Sequence, residues 1–147
     1  KIVGTGPDDA SLKALTASTG GRVEFLGYRS GDDLHSLIRA AKMVVLPSEW
    51  YENAPLSVLE SYALGKPVIG ARIGGIPELI EEDETGWTFA SGDVSDLTRV
   101  IEKANRIDAF EIEKMGHAAR NFVTREFSQA KYLESILKVY GDLGVKA

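Results

Sequence analysis

Two glutamates, Glu52 and Glu60, stand in a Glu-x7-Glu spacing around the start of a predicted helix. Each carboxylate can accept two hydrogen bonds, which suits a ligand with vicinal hydroxyls such as a ribose. The first N–H groups of the helix, which begins near Pro55 and Leu56, have no partner within the helix and carry partial positive charge. The spacing therefore predicts a site for an anionic, hydroxyl-rich ligand.

Both glutamates also have plainer explanations. Ser57-x-x-Glu60 matches a capping box, in which Ser57 caps the helix and Glu60 bonds back to its N–H. Glu52 lies in an irregular stretch after an apolar strand, where an open α/β sheet has its ligand crevice, but it can equally be a surface residue of a loop. Trp50 and Tyr51, which precede it, suit stacking on a sugar or base as well as ordinary packing.

A second strand-to-helix turn follows at Gly74-Gly75-Ile76-Pro77, with Pro77 placed for a first helical turn. Its glycines permit close approach of the backbone to a ligand, or simply make the turn. The run Glu81–Glu84 is interpreted as a solvated turn rather than a metal site. No metal site is predicted, since neither His35 nor His117 has a second histidine at i+4.

The motif Val3-Gly4-Thr5-Gly6 resembles the opening of a dinucleotide fingerprint, but Asp9 stands where the third glycine belongs. We interpret it as a tight strand-to-helix turn with Asp8 as the helix cap.

The elements that must position these residues are short β-branched runs that alternate with helical periodicity. The predicted strands are Ile2-Val3, Val23–Leu26, Met43–Leu46, Val68–Ala71 and Gly86–Ala90. Because these runs are apolar throughout, they predict burial on both faces of a sheet. The expected fold is α/β: a doubly wound, Rossmann-like parallel sheet of about five strands with helices on both faces. From Val94 onward only helices are predicted, the last with Ser128 as its N-cap.

The length and composition fit a single domain: the chain has 147 residues, a net charge of −5 and no cysteine. The negative charge and the absence of a basic block argue against nucleic-acid binding. No apolar run approaches the ~18–20 residues of a membrane span. The lack of cysteine excludes disulfides and fits a reducing compartment. The expected location is the cytoplasm, with a parent protein peripheral to the membrane as the alternative.

The order strand, Pro-Ser, Glu-x7-Glu, Gly-x-Pro-Val-Ile, Gly-Gly-x-Pro-Glu resembles the retaining glycosyltransferases of family 4. These enzymes have the two-domain GT-B architecture, and the likeness lies in the C-terminal, donor-binding domain. The resemblance implies that residues 1–147 are that domain without its first strand-helix unit and without the N-terminal acceptor domain. KIVGTG, which reads as the end of a strand, fits a fragment of a longer protein.

By this resemblance Glu60 binds ribose and Glu52 holds hydroxyls of the donated sugar at the catalytic centre. The implied substrate-binding set around them is Asn53, Ala54, Pro55, Leu56 and Ser57, with Tyr28 near the base. The donor is a UDP-, GDP- or ADP-sugar, and no metal is expected. Where the family commonly has Gly-Phe-Gly-Leu this chain has Asn-Ala-Pro-Leu, and the proline lacks one N–H donor.

The family's phosphate-binding Arg and Lys lie on the unit that is absent here. Losing these cations removes electrostatic stabilisation of the leaving diphosphate, so we expect the isolated chain to be inactive although its parent is active. In the family the final helix packs toward the N-terminal domain, so its apolar face is expected to invite self-association in this chain. The alternatives are another GT-B enzyme, such as a nucleotide-sugar epimerase, or a non-catalytic α/β interaction or signalling module.

Overall fold

The structure is a computed structural model that describes residues 1–144. These form two compact units, Lys1–Leu37 and a second unit from Ile38 onward. In chain order the elements are α1 (Asp9–Thr19), α2 (Gly31–Ala40), β1 (Val44–Leu46), α3 (Leu56–Ala63), β2 (Val68–Ala71), α4 (Ile76–Leu79), β3 (Gly86–Phe89), α5 (Val94–Arg106), α6 (Ala109–Glu126) and α7 (Gln129–Asp142).

The second unit contains a parallel three-stranded sheet in the order β1-β2-β3. β2 and β3 are buried along their whole length, as their unbroken apolar character predicted. β1 stands at the end of this sheet and is half-buried, with Val45 38% exposed. The predicted α/β fold is confirmed.

The core has two parts because successive residues of β2 point to opposite faces of the sheet. Val68 packs with Tyr62 of α3 and Phe122 of α6 on one face. Ile69 packs with Trp87 and with residues of α5 and of the first half of α6 on the other. Helices therefore cover both faces, as expected for a doubly wound sheet.

The number of strands differs from the prediction. The runs Ile2-Val3 and Val23–Leu26 of the first unit form one isolated parallel bridge, Ile2↔Phe25, instead of two full strands. The backbone hydrogen bonds between these runs end with the one from Gly4 to Gly27, and both glycines have φ values, 130° and 67°, outside the range of regular strands.

Some of the predicted helix starts agree with the structure and others do not. Ser128 caps α7 as predicted, because its side chain accepts a hydrogen bond from the N–H of Lys131. Asp8 occupies the N-cap position of α1 but makes no side-chain cap bond, so that part of the prediction is wrong. Pro77 lies in the first turn of α4, as expected.

The acidic run Glu81–Glu84 forms an exposed turn in which the carboxylates of Glu82 and Asp83 have protein partners. Asp83, at φ 63°, accepts a 2.7 Å hydrogen bond from the indole N–H of Trp87 and pairs with Lys103. Glu82 bonds the backbone N–H and the hydroxyl of Thr88. The turn interpretation is therefore correct, although these two carboxylates brace β3 instead of facing only solvent.

Candidate functional site

The candidate site lies where the three parallel strands end, at one edge of the sheet. The loops that follow β1, β2 and β3 begin at Pro47, Arg72 and Ala90. Because the strands run in parallel, their carboxyl ends share this edge, which is where open α/β sheets bind ligands. The edge gathers Glu52 and the start of α3 next to the Gly74-Gly75 turn.

The loop that carries Glu52 is joined to the Gly74-Gly75 turn through its backbone. The N–H of Gly75 donates a 2.6 Å hydrogen bond to the carbonyl of Glu52. A Cβ at Gly75 would overlap the carbonyl of Asn53, and one at Gly74, which has φ +56°, would overlap the backbone of Glu52. The two glycines thus serve close approach, but to the protein's own chain at Glu52 and Asn53.

Helix α3 begins earlier than the capping-box interpretation requires. Pro55 is its N-cap, with extended backbone at ψ 119°, and Leu56 is its first residue. Ser57 is already inside the first turn, and no side chain caps this helix. The capping box between Ser57 and Glu60 is therefore absent, because proline starts the helix two residues before the serine.

Glu60 loses its structural explanation as a result. Its side chain is exposed and forms no hydrogen bond or ion pair with any residue in 1–144. Glu52 is half-buried in the loop before the helix. Both carboxylates are thus available to a ligand, and they lie on either side of the start of α3.

The start of α3 leaves backbone donors free. Val58 donates its N–H to the carbonyl of Pro55 at 3.0 Å. The N–H groups of Leu56 and Ser57 have no acceptor among the described residues, and the first turn holds no acidic side chain. An uncapped start with free donors and no acid is a suitable place for an anion.

Two serines tie the remaining loops to this edge. Ser91, after β3, donates its hydroxyl to the carbonyl of Ser48, after β1, at 3.0 Å. The Ser48 hydroxyl accepts a 3.2 Å bond from the N–H of Trp50. The N–H of Glu52 then bonds the carbonyl of Trp50 at 2.9 Å, so the loop backbone before Glu52 is well ordered by its own contacts.

Asp96 of α5 fixes the loop after β3. Its carboxylate, 15% exposed, accepts bonds from the N–H of Ala90 at 2.7 Å, from Arg72 at 3.0 Å and from Arg99 at 2.6 Å. The backbone bond from Ala90 and the Arg99 guanidinium lower the pKa of Asp96 to about 2. Arg72 also donates to the Thr88 hydroxyl, so this cation is committed to holding the loops after β2 and β3 together.

The structure brings most of the predicted site residues together on one loop and helix start. These are Glu52, Asn53, Ala54, Pro55, Leu56, Ser57 and Glu60. Tyr28 belongs to the first unit, where its ring is 71% exposed, and its role near a base stays a prediction. Sequence reasoning missed Arg72, Ser91 and Asp96. The position of Arg72 directly after β2, and of Ser91 two residues after the end of β3, was the signal that could have found the first two.

Residues 1–144 contain no cluster of three or more His, Cys, Asp or Glu side chains able to hold a metal ion. Nor does this part of the chain hold a helix with the length and apolar character needed to cross a bilayer.

The structure defines an α/β domain whose candidate ligand-binding site lies at the carboxyl ends of parallel strands. The family profile described as "Glycosyl transferases group 1" matches residues 1–122. The chain belongs to this family, and its fold is that of the α/β domains of GT-B glycosyltransferases, as the motif order predicted.

Curated relatives agree with this assignment. The chain is 33% identical over 146 residues to N-acetyl-alpha-D-glucosaminyl L-malate synthase of Bacillus anthracis, covering 97% of this chain and 37% of the relative. It is 41% identical over 123 residues to a sulfoquinovosyl transferase of Arabidopsis thaliana, covering 81% and 23%. The chain thus spans about a third of the length of the first relatives that it matches.

Solved structures give the same fold. HepE of Anabaena in complex with UDP-glucose superimposes with a TM-score of 0.78 at 25% identity, over 95% of this chain and 40% of that one. The C-terminal domain of a group 1 glycosyl transferase (LpcC) from Francisella tularensis matches with a TM-score of 0.72 at 23% identity, over 85% and 66%.

Proposed function

We propose that this chain is the donor-binding domain of a glycosyltransferase that moves a hexosyl group from a nucleoside diphosphate sugar to an acceptor with retention of configuration. The observation that carries the proposal is the uncapped start of α3, with free N–H groups at Leu56 and Ser57 between two available carboxylates. No described contact within the protein uses these donors, whereas a diphosphate would.

The parts of the donor are assigned by chemistry. The diphosphate belongs at the backbone around Ala54–Ser57, where the helix dipole favours negative charge. Glu60, one turn inside the helix, accepts hydroxyls of the ribose, and Glu52 accepts hydroxyls of the donated sugar. The base is assigned to the segment around Tyr28. The solved complex of HepE with UDP-glucose, a protein of the same fold, supports a donor of this class.

The reaction needs stabilisation of the charge that develops on the leaving diphosphate. In this chain the helix dipole supplies part of it, without a metal. Retention follows the family resemblance, with the leaving phosphate assisting the incoming hydroxyl. We propose that phosphate-binding cations and the acceptor site are supplied by other parts of a longer parent protein, which acts in the cytoplasm.

Calorimetric titration of the 147-residue chain with UDP, GDP and ADP tests donor binding. We expect one of the three to bind and Glu60→Ala to weaken its binding about ten-fold, because two ribose hydrogen bonds to a charged acceptor are lost. Glu102→Ala, an exposed glutamate on α5, is the matched control and should leave the affinity unchanged. Absence of binding to all three nucleotides, or equal loss in both variants, would refute the assignment.

Transfer itself is tested in the longer parent. Proton NMR of the product should give the anomeric configuration of the donor, and Glu52→Ala should reduce kcat by about a hundred-fold or more. Inversion would exclude the retaining mechanism. Sugar transfer by the 147-residue chain alone would contradict the need for the other parts.

A further inference from the structure

Two aromatic side chains stand fully in solvent directly before Glu52. Trp50 is 82% exposed and Tyr51 is 84% exposed, and both precede the catalytic candidate in the loop after β1. The packing role that the sequence left open for them is therefore wrong for the described chain. Large aromatic rings lose much of their contact with water when they bind a ligand, so such exposure on a site loop points to a binding surface.

The backbone under these rings is held in place. The Ser48 hydroxyl accepts the N–H of Trp50, the Trp50 carbonyl accepts the N–H of Glu52, and the Glu52 carbonyl accepts the N–H of Gly75 at 2.6 Å. Binding a ligand on the rings therefore orders only a few side-chain torsions, and little conformational freedom is lost. This is the arrangement expected of a preformed contact surface.

The charge around the rings limits what they can bind. From Pro47 to Gly65 the chain carries the glutamates Glu49, Glu52 and Glu60 and no Lys, Arg or His. Arg72, which follows β2 at the same edge of the sheet, already pairs with Asp96. An anionic sugar on this loop would meet repulsion from these glutamates, and the loop itself offers no cation to offset it, whereas an uncharged pyranose would not meet this repulsion.

We propose that Trp50 and Tyr51 form an aromatic platform for the apolar face of the donated sugar, and that this sugar is a neutral hexopyranose. In this arrangement Glu52 accepts the hydroxyls at the rim of the ring while the aromatic faces cover its C–H groups. The inference rests on the proposed function, since it places the ring of the same donor whose diphosphate lies at α3.

The test compares the affinity of the chain for a free nucleotide with its affinity for the corresponding nucleotide sugars. Whichever of UDP, GDP and ADP binds the 147-residue chain is titrated alongside its glucose, galactose and N-acetylglucosamine conjugates. We expect at least one conjugate to bind about ten-fold more tightly than the nucleotide. Trp50→Leu should reduce this advantage to about two-fold or less and leave the affinity for the nucleotide unchanged, while Tyr51→Phe, which keeps the ring, should preserve it.

Phe110→Leu provides the matched control, since Phe110 is 72% exposed at the start of α6 and outside the site loop. It should change neither affinity. Retention of the full sugar advantage in Trp50→Leu, or no advantage in the unsubstituted chain, overturns the platform while nucleotide binding keeps the proposed function intact. Failure of every nucleotide to bind overturns both. Tighter binding of a glucuronate conjugate than of its glucose counterpart overturns the neutral-sugar assignment.

Tryptophan fluorescence gives an independent readout, because Trp50 is exposed and Trp87 is only 2% exposed. Acrylamide quenching should therefore report mainly on Trp50. The conjugate should reduce the quenching slope by about half, and the nucleotide alone should not. If the quenching slope falls with protein concentration and not with added ligand, the rings contact a second copy of the chain, and the platform is overturned.

Discussion

Gly75 is the residue on which the geometry of the site depends most directly. Its N–H holds the Glu52 carbonyl, and its Cα hydrogens face the Asn53 carbonyl with no room for a methyl group. Sequence reasoning expected the glycines either to let the backbone approach a ligand or simply to make the turn, and did not foresee that they approach the backbone of Glu52 and Asn53. It could not find the partner, because two loops that follow different strands meet only after the sheet has formed.

Substitution of Gly75 by alanine should therefore displace the Glu52 loop. We expect Gly75→Ala to lower the free energy of unfolding by about 1–3 kcal/mol, as overpacking does, and to weaken donor binding. Gly141→Ala is the control, since a methyl group on Gly141 of α7 would meet nothing within 4 Å beyond its own helix backbone. Urea unfolding measures both variants, and equal stability of the two would contradict the contact.

Asp96 gives the site a pH dependence of known sign. Its folded pKa of about 2 is below its ordinary value of 3.8, so its bonds stabilise the folded state fully above pH 3.8 and are lost as pH falls toward 2. We expect Asp96→Asn to be less stable than the unsubstituted chain at pH 7, with the difference shrinking between about pH 4 and pH 2. Urea midpoints across this range measure it.

Glu102→Gln on the same helix is the comparison for Asp96→Asn, since Glu102 bonds no other side chain among residues 1–144. A difference between Asp96→Asn and the unsubstituted chain that stays constant across the acid range would contradict the role of the charged carboxylate.

At the scale of elements, helix starts are where local sequence signals compete. Ser57-x-x-Glu60 matches a capping box, yet α3 starts at Leu56, with Pro55 as its N-cap, and Ser57 makes no cap bond. Pro55, with extended backbone, occupies the N-cap position that the capping box would give to Ser57. The motif at Asp108, by contrast, is a true cap, because its carboxylate accepts the N–H of Glu111 at 2.9 Å.

Alanine substitution at Ser57 and at Asp108 should change the free energy of unfolding by different amounts. Ser57→Ala should change the free energy of unfolding by less than about 0.5 kcal/mol, as for an ordinary surface position. Asp108→Ala should cost about 1 kcal/mol, as for loss of an N-cap. Urea unfolding followed by circular dichroism measures both, and a larger cost at Ser57 would restore the capping box.

The sequence predicted the type and order of most elements because their signals are local. In α5, for example, Leu97, Val100, Ile101 and Ala104 recur at the helical spacing i, i+3, i+4 and i+7, and the structure packs this face against the core. The run Ile2-Val3 was predicted as a full strand and forms only one bridge, because a strand depends on the length of the partner that pairs with it, which local sequence does not show. The charged contacts of Asp96 and Arg72 joined separate elements and had no local signal.

At the scale of the whole molecule, α7 contributes no buried residue within the described chain. Leu133 is 56% exposed, Leu137 is 45% exposed and Tyr140 is 48% exposed, and these residues lie on the apolar face of the helix. We expect the chain to self-associate through this face at concentrations of about 100 μM. Sedimentation velocity should detect the association and show its loss in Leu133→Ser/Leu137→Ser.

The control for α7 is a pair of polar substitutions on the same helix outside that face, Glu134→Gln/Lys138→Gln, which should leave the association unchanged. A chain that stays monomeric at the highest concentration, or one whose association survives the leucine substitutions, contradicts this expectation.

The contact between Gly116 of α6 and Gly65 has a consequence for synthesis of the protein. A Cβ at Gly116 would overlap the Gly65 carbonyl, so α6 closes directly over the turn after α3, and Phe122 meets the ring of Tyr62 at 5.9 Å. The sheet strands leave the ribosome long before these partners do. Until Phe122 emerges, the nascent chain carries Tyr62 and Val58 uncovered, and this interval is when it depends most on protection from aggregation.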